Sequence, residues 1–431
     1  MITAVSYSLL IISIFLVGYL TLRQRYFFSP TNIFLLYGCL TYPLSFFICV
    51  IFDFDSIFFN SSRQIEQVHL LAGAFWYLTG LLIFGYTRFV APQIIVFRYP
   101  KASAQLSSHK ILILAVTSVI VFVVSVRHLL SVLGGLDNIL GGIGALRAGG
   151  LNGLGLYTYA VTMVVPTVAQ LYLIYKLHNN MRYQGTLMLC ILLALAGGIF
   201  GFRGPVIALL IQIYVIVYYY TGTPTLRQLI FGFCIFTPVL VIAGLSRYVS
   251  IEDISVLSGI NGVGELVMDI TFTRVRALET FSVLHESVSW QNYGYYIDSI
   301  LESFKAIIPS QVVAKGPSVA QIIATDYFSS YLYDVGIDME VYGGVAYGYL
   351  AESFWNFGYL GIVIFSALLG VILKNVEDNR RGKSIVFVIV NKTIAGFMIL
   401  IVEAPQLGLN AIVLGLFVNI VLFLAVIKYR F

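Results

Sequence analysis

Long apolar runs dominate this chain, and they limit what it can become. Eleven stretches of about 17–25 residues are long enough to span a bilayer as helices. They are roughly 3–22, 32–52, 68–87, 111–126, 156–175, 186–202, 205–220, 228–246, 346–373, 384–402 and 407–427. Only 10% of the 431 residues are charged, against about a quarter in a soluble domain. A soluble enzyme, a disordered chain and a disulfide scaffold are excluded together. Cys39, Cys49, Cys190 and Cys234 all fall inside apolar runs, with no CxxC or metal-ligand spacing, so they read as small core residues. The fold class expected is an all-α polytopic membrane protein. No fixed-period repeat is visible. The first run is too long, and lacks the basic start, for a cleaved signal peptide, so it reads as a span.

Lys and Arg set the orientation, because cytoplasmic loops collect them. Fifteen of the 25 basic residues fall in one alternate set of loops, and only two of the 20 acidic residues, Glu377 and Asp378, join them. That side reads as cytoplasmic. The amino terminus is then outside and the carboxyl terminus inside. The net charge of +5 is a topology signal and gives no reason to expect nucleic acid. The chain divides into spans over 1–246, a large outer loop over 247–345 and further spans over 346–431. Loops of this length are uncommon and usually functional. Residues 264–284 read as an amphipathic helix within it, and 295–308 as a second.

Candidate chemistry gathers on the outer face. Phe202-Arg203-Gly204-Pro205 is the hairpin between the sixth and seventh runs. Pro205 suits a first helical turn, so the Arg203 guanidinium would lie beside free N–H groups, a start for an anion site. Arg147 sits in the glycine-rich stretch 134–155, where a backbone can approach a bound group closely. Arg274 has no acidic residue three or four positions away and stays free for a ligand, whereas Arg276 has Glu279 at i+3. Glu352 lies near the outer end of the ninth run. A carboxylate there is a functional candidate by default, as a general base or as an Arg-paired structural carboxylate that holds the loop. Glu403, at the outer end of the tenth run, is a weaker case of the same kind. Asp53-Phe54-Asp55 is a lone DxD and reads as a solvated turn. Lys392 reads as a snorkelling or buried, paired lysine. His285 reads as a solvent-facing helix residue.

The segments Gly343-Gly344-Val345, Gly348-Tyr349-Leu350-Ala351-Glu352 and Asn356-Phe357-Gly358-Tyr359-Leu360-Gly361 resemble the bacterial Wzy-type O-antigen polymerases. So do Phe202-Arg203-Gly204-Pro205, the Arg147 loop, and Ile308-Pro309 followed by Lys315-Gly316-Pro317; the order of these pieces along the chain and the long outer loop also match. Ser310 stands where relatives often carry an Arg. The resemblance implies a fold like the GT-C-type membrane glycosyltransferases. It implies that undecaprenyl-diphosphate-linked oligosaccharides serve as donor and acceptor at the outer leaflet of the inner membrane, with membrane lipid and a chain-length regulator protein as partners. No cofactor, metal or nucleotide sugar is implied. Glu352, Arg203 and Arg274 would then be catalytic. Arg147, Arg276, Lys315 and Glu403 would bind diphosphate or glycan. Three other readings compete. One is an O-antigen ligase that transfers glycan to lipid A core, in which His285 gains interest. Another is a lipid-linked oligosaccharide flippase, and the last a non-enzymatic assembly factor.

Overall fold

A computed structural model describes residues 2–24, 28–52, 67–92, 106–132, 134–135, 155–199, 203–222, 277–287, 347–377 and 384–427. The regular elements among them are helical: α1 (Ile2–Leu22), α2 (Pro30–Cys39), α3 (Ser45–Phe52), α4 (Gln67–Gly85), α5 (Ser108–Val132), α6 (Gly155–Tyr159), α7 (Val165–His178), α8 (Gln184–Ile199), α9 (Arg203–Thr221), α10 (Ala277–Ser287), α11 (Gly348–Glu377), α12 (Ile385–Glu403) and α13 (Pro405–Val426). Among the described residues, nine helical stretches are long and apolar enough to cross a bilayer. They coincide with nine of the eleven apolar runs. The sixth run is the shorter apolar helix within α8, and the run 228–246 lies outside the described residues. The chain is therefore a predominantly helical protein with many membrane-spanning candidates.

Local chemistry accounts for the helix ends. The Ser29 side chain accepts from the Asn32 N–H at 3.2 Å, and Pro30 supplies the first helical position of α2, so one orphan donor is satisfied and another is absent. A π-helical turn, Leu40–Leu44, joins α2 to α3 around Pro43, which has no N–H to give to the α-helical ladder. At the far end of α7, Asn180 adopts φ 53°. The Met181 N–H then reaches the Lys176 carbonyl at 2.8 Å and the Asn180 N–H the Leu177 carbonyl at 3.2 Å. That is a Schellman closure with asparagine in the glycine position.

The chain forms two compact units. Unit 1 holds residues 1–97, 271–379 and 397–411. Its core is aromatic: Tyr42 stacks on Tyr77 with ring centroids 4.8 Å apart, and Phe34 touches both Phe84 and Tyr349. Near the start of α2, Arg88 and Glu377 form a buried ion pair at 2.7 Å. Thr31 completes it, giving its N–H to Glu377 at 2.6 Å and its hydroxyl to the same carboxylate at 2.9 Å, while accepting from Arg88 Nε at 3.0 Å. The sequence places Arg88 and Glu377 on the same side, but only as members of a charge tally.

Unit 2 holds residues 98–270, 380–396 and 412–431. Here Lys392 is fully buried and donates to the Gln170 side-chain carbonyl. It does not snorkel; its partner is a neutral amide rather than a carboxylate. Asn419 Nδ2 donates to Thr393 Oγ1 at 3.2 Å on the same seam. At one end of the unit, Leu106 and Ile427 form an antiparallel bridge, and Lys110 Nζ donates to the Ile427 carbonyl at 3.2 Å.

Candidate functional site

The ninth apolar run is not a straight span. Inside α11 the backbone leaves helical values at Phe357 (φ −139°, ψ 21°) and Gly358 (φ 59°, ψ −150°). The conformation of Gly358 belongs to a region essentially closed to other residues. Residues 8 and 16 positions apart in a continuous helix are separated by about 12 and 24 Å. Here the Tyr349 and Phe365 rings lie 5.8 Å apart. A Cβ built on Gly361 would sit 2.0 Å from the Ser353 carbonyl oxygen. The chain thus doubles back: a short arm, 348–356, lies against the helix that follows. Residues 359–377 cover about 28 Å, close to one bilayer core, so the arm is surplus to the crossing.

This arm carries Glu352. Its amino end is fixed by Tyr42, whose hydroxyl accepts from the Leu350 N–H at 3.1 Å. At its carboxyl end Asn356 Nδ2 donates to the Glu352 carbonyl at 2.9 Å. The Glu352 side chain is 7% exposed. Its Oε2 accepts from the backbone N–H of Gln406 at 3.2 Å, in the first turn of α13. A carboxylate at a helix amino terminus meets unpaired N–H groups and the positive end of the helix dipole. Tyr347, fully buried, stands immediately ahead of the arm. Glu403 closes α12 just before α13 begins, and the Tyr37 hydroxyl donates to its Oε1. Two carboxylates that are far apart in sequence are therefore brought to one turn between α12 and α13. Among the described residues Glu352 has no Arg or Lys partner; the strut it forms runs through a backbone amide.

The other candidates fare differently. Arg203 is the first residue of α9, two positions ahead of the expected start at Pro205. Arg147, Arg274, Arg276, Lys315, Asp53 and Asp55 lie outside the described residues. His285 does not face solvent as expected. It is half-buried, with Nδ1 2.7 Å from His69 Nδ1 and Nε2 2.5 Å from the Tyr359 hydroxyl. The sequence reading missed Tyr37, Tyr42 and Tyr347, because tyrosines in apolar runs carry no periodic signal. The fold-back had one available signal, the polar-aromatic-glycine step Asn356-Phe357-Gly358 inside a span.

Gly358→Ala is expected to strain the fold-back by about 1–3 kcal/mol and to lower the melting temperature of the detergent-purified protein. Gly18→Ala is the control, since nothing lies within 4 Å of a Cβ at Gly18. Equal melting of the two variants would contradict the strain at Gly358.

Comparison with protein-family models, with curated proteins and with solved structures finds no match.

Proposed function

We propose that this protein polymerises oligosaccharide repeat units carried on undecaprenyl diphosphate, at the outer face of the bacterial inner membrane. The observation that supports the reading best concerns residues 348–361. The stretch richest in the resemblance is also the stretch whose fold-back buries Glu352 against a helix amino terminus. In the proposed reaction the acceptor hydroxyl gives its proton to Glu352, and its oxygen attacks the anomeric carbon of the donor glycan. The bond from that carbon to the diphosphate oxygen breaks, and the lipid diphosphate departs with the electron pair. Charge rising on the leaving group needs preorganised donors. Arg147, Arg203 and Arg274 are assigned to it, with Arg276, Lys315 and Glu403 binding diphosphate or glycan. Arg forks suit phosphate oxygens.

A second reading has its own support. The Gln406 N–H contact makes Glu352 a strut joining the arm to α13, in which case the base is another residue. Substitution at Glu352 separates the two.

The direct experiment is polymerisation of purified lipid-linked repeat units by the purified protein. Polymer is expected with and without EDTA, since the assigned groups are side chains. Loss on chelation, restored by Mg²⁺ or Mn²⁺, would move the chemistry to Asp53 and Asp55. No polymer under any condition would remove the polymerase reading and favour a ligase or a flippase. Orientation has a separate check. Cysteines introduced between 250 and 340 should react with membrane-impermeant thiol reagents in intact spheroplasts, and those between 375 and 383 should not. The opposite pattern would turn every assigned residue towards the cytoplasm.

A further inference from the structure

Unit 1 holds a second polar cluster that the chemistry proposed at Glu352 does not use. The His69 and His285 rings face each other through their Nδ1 atoms, 2.7 Å apart, and His285 Nε2 continues the chain to the Tyr359 hydroxyl at 2.5 Å. Tyr359 stacks on Trp76, with centroids 4.5 Å apart and planes within 12°. Phe354 packs beneath both His285 and Tyr359. Phe354 is two residues from Glu352, about 200° around the arm, so this cluster and the carboxylate occupy opposite faces of it. Tyr359 is 38% exposed, and Trp76 and His285 are half-buried.

Two facing Nδ1 atoms share one proton. Burial, and then the neighbouring His69, push the His285 pKa down to about 4, so the ring is neutral at physiological pH. Two proton arrangements follow. If His69 donates, His285 carries its proton on Nε2 and donates to Tyr359, leaving the Tyr359 O–H to donate outward. If His285 donates to His69, its Nε2 accepts from Tyr359, leaving a phenolic lone pair to accept from outside. The exposed hydroxyl can therefore offer either role without a change of charge. An anion would call for fixed donors and a cation for fixed acceptors. A ligand made of hydroxyls needs both, and a sugar ring also brings a C–H face that lies well on an aromatic plane.

We propose that Trp76, Tyr359 and His285 form a subsite for an uncharged sugar ring of the glycan, distinct from the Glu352 carboxylate. The assignment of the ring to the polymer's glycan rests on the polymerase reading. A tyrosine serving only as an interfacial anchor would turn its hydroxyl to water, whereas Tyr359 is tied into an imidazole chain.

The test uses the full-length protein in phosphatidylcholine nanodiscs. The probe is the labelled oligosaccharide released by mild acid from the lipid carrier of the same cells, measured by equilibrium dialysis. Tyr359→Phe keeps the stacked ring and removes only the hydroxyl. It should weaken binding about 2- to 12-fold, the worth of one hydrogen bond, and raise KM for the lipid-linked unit by the same factor with kcat unchanged. Trp76→Ala should weaken binding further; Tyr359→Phe decides the matter if that variant fails to fold. Unchanged binding in Tyr359→Phe, or none by the parent protein, overturns the subsite. Displacement of the oligosaccharide by phosphatidylglycerol added to the nanodiscs would reassign the cluster to a lipid headgroup and also overturn it. If the parent protein makes no polymer, yet binds the oligosaccharide in a Tyr359-dependent way, the polymerase reading falls and the subsite stands.

Discussion

Glu352→Gln should abolish polymer while leaving the protein abundant in the membrane. General-base assistance contributes about 10²–10⁴ in rate, so the loss should exceed two orders of magnitude in the purified assay. Glutamine keeps a carbonyl oxygen where Glu352 Oε2 accepts from the Gln406 N–H. The link from the arm to α13 therefore survives the substitution, and binding of the lipid-linked unit should too. Glu352→Ala is the contrasting variant. It removes the hydrogen bond from the Gln406 N–H to a carboxylate, worth about 1.5–3 kcal/mol, and should lower abundance as well as activity. Disappearance of the Gln variant from the membrane would end the general-base assignment. Glu352 would then be a strut sensitive to charge, and Glu403 and His285 would be the next residues to test as the base.

The largest stability effect is expected at Arg88 and Glu377. The two side chains are 4% and 6% exposed and 2.7 Å apart. Removing either partner leaves a charge buried opposite polar neighbours that cannot neutralise it, which costs about 3–5 kcal/mol. Arg88→Ala and Glu377→Ala should each sharply reduce the melting temperature and the yield from membranes. Replacing both, as Arg88→Met with Glu377→Leu, should be milder than either single change, because buried pairs exchanged for apolar residues are often neutral. The measurement is thermal unfolding in detergent for all four proteins. Singles as stable as the parent would mean that the pair carries little. A double variant worse than the singles would place the stabilisation in the Thr31 hydrogen bonds rather than in the ion pair.

How much the sequence reveals depends on what enforces each feature. Hydrocarbon forces every backbone polar group into an internal hydrogen bond, so apolar runs become helices almost regardless of detail. Hence nine runs, from the first at 3–22 to the last at 407–427, correspond to long helices. The doubling back at Phe357–Gly358 is invisible to that rule, because both limbs are apolar and the run is continuous. The ion pair joins residues 289 positions apart, and nothing local to Arg88 or Glu377 announces a partner. His285 reads as solvent-facing from its own helix alone, whereas His69 of α4 and Tyr359 of α11 lie against it. Glu352 and Glu403 were legible as isolated anomalies in apolar surroundings. That they meet at one turn depends on α12 and α13 reversing direction within Glu403-Ala404-Pro405.

The short arm also separates two kinds of sequence change. Substitutions on it or at the reversal act through chemistry or fit, as at Glu352 or Gly358. Changes of length act through phase. One residue added between Glu352 and the reversal would rotate the carboxylate about 100° around the arm. It would turn away from the Gln406 N–H and towards the face that Phe354 now occupies against Phe281 and His285. The crossing made by residues 359–377 would be untouched, and the chain would still thread the membrane the same number of times. A single-codon insertion in this stretch would leave the pattern of apolar runs intact and still take Glu352 out of its contact with the start of α13.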